Sequence, residues 1–247
     1  MLQFFSKSTG VNYPYNSYSQ VFVQDFGSFS GNNSFSTITE NMVDDFETHA
    51  DYFYLWDLTE AEALAQQWFG NCISPKNWTD VWLTKSLAHY LNGIYNEHKN
   101  GKAEFLIYQL NFDQNSYLSD WNSGYKRPIV TQNFDNPTSF TNDNYTTFRG
   151  ALVLHMLRKQ IGDEMVTKSI QDFTKTYVNK QVTTENFIQS VEKTIGKSLK
   201  WFFDQWLYKI NHPIFEVSKT FDSNKHLLTL KVKQVQKLDV SNAYPQV

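Results

Sequence analysis

Two hydrophobic periodicities divide this 247-residue sequence, and their order constrains its fold more than any other feature. From about Glu40 to Leu207, apolar residues recur at helical spacing in successive segments. After His212 and Pro213 the pattern changes to a two-residue alternation, in IFEVSKTF and HLLTLKVKQV, with an Asp-Ser-Asn-Lys turn between them. The chain is therefore predicted to be mostly helical and to contain a β-hairpin after the helices.

Local signals predict the individual elements. Strands are predicted in SQVFVQDF and SFSTIT, so that residues 1–39 form strands and loops. Thr59, with Glu62 three residues later, forms a capping box that predicts the start of a helix ending near Gly70. Further helices are predicted from Glu40, over 79–97, 102–118, 145–160, 163–178 and 184–195, and in KWFFDQWLYK, with an extended loop over 119–142.

Composition excludes several classes of protein. Hydrophobic residues make up 40% and charged residues 19%, which is typical of a folded globular chain. A net charge of -3 without blocks of like charge argues against a nucleic-acid partner. Cys72 is the only cysteine, so neither a disulfide framework nor a thiolate metal cluster is possible. The start MLQFFSKSTG is unlike a signal peptide, and no apolar run is long enough to span a membrane, so we expect a soluble chain.

One long string carries a family resemblance. EALAQQWFGNCISPKNWTDVWLTKSLAHYL (62–91) resembles the zinc-helix region of the alanyl-type zinc aminopeptidases, whose pattern is H-E-x-x-H-x-W-F-G-N followed by a Pro, a Trp and W-L-x-E. PYNSYSQVFVQDF, FRGALVLHMLRKQIGDE and SLKWFFDQWLYKINHP extend the match in the family's order. The resemblance implies an α+β, mostly helical, thermolysin-like (gluzincin) catalytic domain over 1–210. It also implies that 211–247 begins a β-sandwich domain.

The positions that would hold the zinc carry other residues. A gluzincin needs two imidazoles one helical turn apart, with a glutamate beside the first as the base. In this register the imidazole positions hold Glu62 and Gln66, the base position holds Ala63, and the third ligand position holds Lys85. An ammonium cannot ligate zinc, an amide is a poor ligand, and alanine cannot accept a proton. The resemblance therefore implies no intact catalytic residue, no zinc and no other cofactor.

Two outer positions of the family's cleft are also altered. The G-A/G-M-E-N loop, whose glutamate binds the substrate's α-amine in the family, aligns with 29–33 and puts Asn32 in place of the glutamate. The tyrosine that steadies the oxyanion in the family aligns with Thr147, and Tyr145 would need a local shift to replace it. The remnant cleft implied by the resemblance consists of Asn32, Glu62, Gln66, Lys85 and Thr147.

Two hypotheses concern how this cleft is filled without a metal. In the first, the ammonium of Lys85 takes the metal's space and pairs with Glu62, while Gln66 adds a hydrogen bond. In the second, Glu62 only serves the capping box and Lys85 reaches solvent. None of the six histidines pairs with another at helical spacing. His89 lies one turn beyond Lys85 and could approach the cleft, but a position on a solvated or packed helix face is the simpler explanation.

Three functions are consistent with these residues. We expect a non-catalytic relative that keeps a peptide-sized cleft and binds a peptide or protein. One alternative is a zinc aminopeptidase with a rearranged site, built from Glu62 and distant ligands such as His89. Another is a carbohydrate- or surface-binding module, whose aromatic residues would have to share one exposed face. The aromatic candidates are Tyr13, Tyr15, Tyr18, Trp121 and Tyr125.

Overall fold

The computed structural model describes residues 1–27, 29–133 and 136–236, without the side chains of residues 52–55. The helices are α1 (Leu2–Thr9), α2 (Phe46–Ala65), α3 (Val81–Asn100), α4 (Lys102–Glu104), α5 (Asn111–Asn122), α6 (Pro137–Asn142), α7 (Gly150–Ile161), α8 (Asp163–Tyr177), α9 (Thr184–Ile195) and α10 (Lys200–Leu207). Two π-helices, Phe105–Leu110 and Tyr145–Arg149, lead directly into α5 and α7. Short 3-10 helices at Glu40–Met42 and Trp78–Asp80 precede α2 and α3. The strands are β1 (Ser19–Val23), β2 (Phe29–Asn32), β3 (Phe35–Thr39), β4 (Ser74–Pro75), β5 (Gln181–Val182), β6 (Phe215–Asp222) and β7 (Leu227–Gln234).

The strands form small sheets around a helical body. In the first sheet the order is β1-β3-β2, with β1 parallel and β2 antiparallel to β3. Strands β4 and β5 form a parallel pair, and β6 and β7 form an antiparallel hairpin. The prediction of a mostly helical α+β fold is confirmed.

Large rings fill the helical core. Trp68, Trp82, Phe173 and Phe187 are almost fully buried and belong to one hydrophobic cluster. Trp82 also satisfies its indole N–H, which donates to Thr184 Oγ1 at 2.9 Å. Many of the aromatic residues of the sequence therefore pack in the core.

Gly150 allows α7 to cross α3 closely. A Cβ atom at this position would lie 1.9 Å from Ser86 Oγ and 3.3 Å from the Trp82 ring. The Ser86 hydroxyl is fixed from both sides, because it also donates to the Thr146 carbonyl at 2.7 Å. The approach of these two helices brings the π-helix Tyr145–Arg149 against α3.

Two predictions in the first third of the chain are wrong. Residues 2–9 form a helix, because tertiary packing buries Phe5, whose ring contacts Trp68 and Tyr95, and Thr9, and this overrides weak local propensity. The Thr59 capping box does not start a helix, since α2 already begins at Phe46 under the N-cap of Asp45. The Asp45 side chain accepts the Thr48 N–H at 2.8 Å, so the real helix start has its own cap.

The predicted loop over 119–142 is helical at both ends. Helix α5 runs to Asn122, and α6 begins at Pro137 with the Asn136 side chain accepting the Thr138 N–H at 2.8 Å. Proline at the first helical position after an asparagine cap is a common helix start. The signal was therefore present in the sequence and was outweighed by the loop-forming composition around it.

The predicted β-hairpin is present and has two unlike faces. Its pairing register places six apolar residues on one face: Phe215, Val217, Phe221, Leu228, Leu230 and Val232. All six are more than half exposed. The assignment of this hairpin to a separate β-sandwich domain stays a prediction. Within the described residues, none of the helices combines the length and apolar character needed to cross a bilayer.

Candidate functional site

Two positions of the remnant cleft, Glu62 and Lys85, lie near each other where α2, α3 and α5 meet. Glu62 and Gln66 are one turn apart near the end of α2, and Lys85 and His89 are one turn apart on α3. Asp113 joins them from the first turn of α5. The site is therefore a meeting of three helices, and each contributes a charged side chain.

His89 lies at the centre of this site and binds two carboxylates. Its Nδ1 is 2.6 Å from Glu62 Oε2, and its Nε2 is 2.8 Å from Asp113 Oδ1. Gln109 completes the cluster, because its Nε2 donates to Asp113 Oδ1 at 3.1 Å and lies 2.6 Å from His89 Nε2. His89 is 5% exposed and Asp113 is 1% exposed, so the network is screened little by water.

The two carboxylates favour the protonated imidazole. Burial by itself lowers the pKa of His89, but Asp113 and Glu62 together outweigh it and hold that pKa well above the ordinary 6.5. An imidazolium can donate from both ring nitrogens at once, which matches one carboxylate on each side. His89 therefore acts as a buried cation that links α2, α3 and α5.

The proposed pairing of Lys85 with Glu62 is not formed. The Lys85 ammonium donates to Asn142 Oδ1 at 3.0 Å, while Glu62 is held by His89. Burial lowers the pKa of Lys85, and the charges of Glu62 and Asp143 partly offset this. The second hypothesis is also wrong in part, since Lys85 is half-buried and Glu62 lies inside α2 rather than in a cap. The hypothesis failed because His89 competes for the same carboxylate at closer range.

The other two altered positions of α2 face strand β2 or the core. Gln66 Oε1 accepts the backbone N–H of Gly31 at 2.9 Å. Ala63 is fully buried, and its carbonyl lies 3.4 Å from the Ser36 hydroxyl. Neither position presents a group that could take a proton from water in the cleft.

Asn32 lies at the end of strand β2 and carries no charge. Its side chain donates to the Ser30 carbonyl at 3.4 Å and to Thr37 Oγ1 at 3.3 Å. The backbone carbonyl of Asn32 accepts a hydrogen bond from the side-chain amide of Gln67 at 2.8 Å. An amide engaged within its own sheet cannot form an ion pair with an α-ammonium group.

The π-helix Tyr145–Arg149 contains Thr147, the position that the resemblance aligns with the family's oxyanion-binding tyrosine. Thr147 is half-buried there, whereas Tyr145 is fully buried and donates its hydroxyl to the Tyr125 carbonyl at 2.8 Å. Burial also raises the pKa of Tyr145. Tyr145 therefore has another partner and does not take over the role that the resemblance gives to Thr147.

A second buried ion pair fixes this π-helix. Arg127 donates to both carboxylate oxygens of Asp143, at 2.5 and 2.6 Å, and to Thr146 Oγ1 at 2.7 Å. Asp143 in turn accepts the backbone N–H groups of Tyr145 and Thr146 at 3.1 and 2.9 Å. The start of the π-helix is thus held by a bidentate arginine contact.

The residues of the site do not fit a zinc ion. Both ring nitrogens of His89 are engaged by carboxylates, and the Lys85 ammonium has no lone pair to give. Among residues 1–27, 29–133 and 136–236, no group of three His, Cys, Asp or Glu side chains could hold a metal. A rearranged site built from Glu62 and His89 would first have to break the hydrogen bond that joins them.

The aromatic residues of the carbohydrate-binding alternative fall into two groups. Tyr13 makes ring contacts with Tyr15 and Tyr18, at centroid distances of 5.6 and 6.0 Å. Trp121 and Tyr125 instead contact Tyr117 and Tyr145 respectively, at 6.3 and 5.7 Å. No ring contact joins the two groups in the described part of the chain. The five rings therefore do not form one continuous platform.

Sequence reasoning missed Asp113 and Gln109 and undervalued His89. The available signal was weak: Gln109 and Asp113 are four residues apart, as are Lys85 and His89, so each pair shares a helix face. Nothing in the sequence indicates that these two faces meet. The structure brings Glu62, Lys85 and His89 to one site, whereas Asn32 contacts Gln67, two residues after the end of α2.

The comparisons with known proteins agree with this architecture. A protein-family model described as "Peptidase family M1 domain" matches residues 1–206 of this chain. Glutamyl aminopeptidase of Bitis rhinoceros is 25% identical over 94% of this chain and 25% of its own length. Transcription initiation factor TFIID subunit 2 of Schizosaccharomyces pombe is 26% identical over 98% of this chain and 21% of its own length.

Solved structures show the same fold. The crystal structure of Legionella pneumophila aminopeptidase A in complex with aspartic acid superposes with a TM-score of 0.76, at 17% identity, over 95% of this chain and 26% of that chain. The chain belongs to peptidase family M1. It spans about a fifth to a quarter of the length of the curated relatives it matches.

Proposed function

We propose that this chain is a non-catalytic member of peptidase family M1 that acts as a protein- or peptide-binding module. The observation that carries the proposal is the His89 network, because it engages Glu62 in the position where the family has a zinc ligand. The other altered positions add to this. Gln66 binds a backbone amide, Lys85 binds Asn142, and Ala63 has no proton-accepting group.

The binding part of the proposal is supported by the family relatives. One of them is named as a subunit of a transcription initiation factor, so a similar domain is part of an assembly in that protein. The core residues that define the fold are intact here, including Trp68, Phe69 and Trp82. A domain that keeps the family's fold without the family's catalytic residues is consistent with selection for a binding surface.

The test combines metal analysis with activity measurements. The purified chain is incubated with zinc, dialysed, and analysed for bound metal, and it is assayed with a panel of aminoacyl fluorogenic substrates. We expect less than one equivalent of zinc and no turnover, because no complete ligand set is present. Stoichiometric zinc together with hydrolysis would contradict the proposal and favour the rearranged aminopeptidase site.

Binding needs its own measurement. Ligands are selected from a displayed library of folded and unstructured segments and then titrated by calorimetry. We expect a saturable protein ligand that binds equally with and without a chelator. A ligand that binds only when zinc is present would contradict a non-catalytic, metal-independent module.

A further inference from the structure

The sequence contains three Asn-x-Ser/Thr tripeptides that have no role in the proposed function. They begin at Asn32, Asn77 and Asn144, and none of them has proline in the middle. The asparagine of such a tripeptide accepts N-linked glycans, which are bulky and hydrophilic and have to lie outside the folded chain. The tripeptide alone is a weak signal, so the surroundings of each asparagine determine whether it fits a glycan.

Two of the three asparagines are engaged inside the fold. Asn144 is half-buried, its Nδ2 donates to Asp120 Oδ1 at 2.9 Å, and Thr146, which ends its tripeptide, is fully buried. Asn32 is also half-buried, and its Nδ2 donates to one acceptor in β2 and one in β3. Since a side-chain amide has only two N–H donors, a glycan on Asn32 would displace one of these contacts.

Asn77 has different surroundings. It is exposed and has an extended backbone, with φ -133° and ψ 163°, directly before the 3-10 helix Trp78–Asp80. Its Nδ2 donates to Asp80 Oδ2 at 3.2 Å, which uses one of the two N–H donors of the amide. An N-linked glycan replaces one N–H and leaves the other, so the contact with Asp80 is compatible with the modification.

An exposed tryptophan follows this asparagine directly. The Trp78 side chain is 55% exposed, and a surface cavity of about 630 Å³ lies beside it. The residues that line the cavity are Pro75, Lys76, Asn77, Trp78, Thr79 and Gln132. A sugar ring combines an apolar C–H face with hydroxyl groups, and it therefore matches an aromatic ring next to amide and hydroxyl side chains.

We propose that Asn77 is an N-glycosylation site and that the first sugar of its glycan packs on Trp78. In the transfer, a bond forms between Asn77 Nδ2 and C1 of an oligosaccharide carried on a lipid diphosphate. The bond from C1 to the diphosphate oxygen breaks, the lipid diphosphate leaves with the electron pair, and a base of the transferase takes the amide proton. The inference goes beyond the proposed function, because it identifies a covalently modified face and directs a protein ligand to other parts of the surface.

The test expresses the full chain behind a removable secretion signal in a eukaryotic cell line. Occupancy is measured by the mobility shift that a peptide N-glycosidase removes and by mass spectrometry of the peptide that contains residue 77. We expect one glycan on the wild-type chain and on Thr79→Ser, which keeps the hydroxyl group. We expect none on Asn77→Gln or Thr79→Val, and the Thr79 pair gives the same assignment if Asn77→Gln does not fold.

The two engaged asparagines supply the controls. Asn32→Gln and Asn144→Gln should keep the glycan of the wild-type chain. The inference is overturned by a secreted wild-type chain without a glycan, or by a glycan that Asn77→Gln retains.

Hydroxyl-radical footprinting tests the contact between the sugar and Trp78. Trp78 should be oxidised more slowly in the glycosylated wild-type chain than in Asn77→Gln, because the sugar covers its ring. Trp201 on α10 is 52% exposed and should be oxidised equally in both proteins. Equal oxidation of Trp78 in both proteins would contradict the packing of the sugar on this ring.

Discussion

At the scale of single residues, His89 determines the charge balance of the site. It is a buried cation between two carboxylates, and its removal would leave Asp113 without its ion-pair partner and Glu62 with only the longer-range charge of Lys85. Breaking a buried ion pair by deleting one partner costs about 3–5 kcal/mol. The free-energy cost of removing His89 depends on pH, because it depends on whether His89 is protonated.

The first prediction concerns His89→Gln and pH. Because the folded-state pKa of His89 is raised, its stabilisation is fully present below the ordinary pKa of 6.5 and is lost as pH rises through the raised value. We expect the wild-type free energy of unfolding to fall on the alkaline side of 6.5, by about 1.4 kcal/mol for each unit of pKa elevation. His89→Gln should lack this fall. Urea denaturation across this pH range measures both.

The exposed His226 supplies a matched control, because it lies in the turn of the hairpin away from this network. His226→Gln should retain the wild-type pH dependence. An identical pH profile for His89→Gln and the wild-type chain would show that the network does not hold a proton.

The second prediction tests the register of the zinc positions. The fourfold variant Glu62→His, Ala63→Glu, Gln66→His and Lys85→Glu rebuilds the family's ligand set on α2 and α3. We expect it to bind one equivalent of zinc, because the four positions then carry the family's ligands and base. Metal analysis after dialysis measures the uptake.

A threefold variant that keeps Lys85 is the control for that experiment. It has only two imidazoles and should retain zinc weakly. Failure of the fourfold variant to bind more zinc than this control would mean that the positions were aligned incorrectly.

At the scale of elements, the crossing of α3 and α7 has the least tolerance for added volume. Gly150 has no space for a methyl group, and Ser86 cannot retreat without losing its bond to the Thr146 carbonyl. Overpacking such a contact typically costs about 1–3 kcal/mol.

The third prediction is therefore that Gly150→Ala destabilises the chain by about 1–3 kcal/mol in urea denaturation. Gly27→Ala is the matched control, because a Cβ atom there would meet nothing within 4 Å and the backbone is not left-handed. Equal stability of the two variants would contradict the close helix crossing.

The helices and strands also differ in how well the sequence predicts them. Helices α3, α8 and α9 and the hairpin follow from periodicity, since each has a regular pattern and clear ends. Helix α1 was missed because its eight residues have a weak local signal and are stabilised by tertiary packing, in which Phe5 contacts Trp68 and Tyr95. The π-helix at Tyr145–Arg149 has no local signal, because an arginine ion pair distant in sequence fixes its start.

The site was predictable only where the family resemblance supplied positions. Glu62 and Lys85 were placed near each other, but their actual partners, His89 and Asn142, depend on distances that no spacing rule gives. Asp113 comes from a helix whose approach to α3 is set by the whole fold.

At the scale of the whole molecule, the β6–β7 hairpin presents the largest uncovered apolar surface described above. Its six apolar side chains share one face, while the other face is polar except for Leu227 at its end. A contiguous apolar patch of this kind usually marks a surface that is covered by another part of a protein or by a partner.

The fourth prediction compares the two faces of the hairpin. Leu230→Lys places a charge on the apolar face and should reduce the binding of the dye ANS and any concentration-dependent association. Thr229→Lys places the same charge on the polar face and should change neither. Fluorescence titration and sedimentation velocity measure the two effects, and equal responses would mean that the apolar face is not exposed as described.

The link through His89 also affects how the protein responds to its chemical surroundings. A bound ion stabilises a fold by mass action, so that stability depends on the free concentration of that ion. Here the side chains that join α2, α3 and α5 belong to the polypeptide itself. Their contacts therefore do not depend on the concentration of a dissolved ion. We therefore expect the stability of this junction to be independent of the zinc concentration, as the proposed non-catalytic function requires.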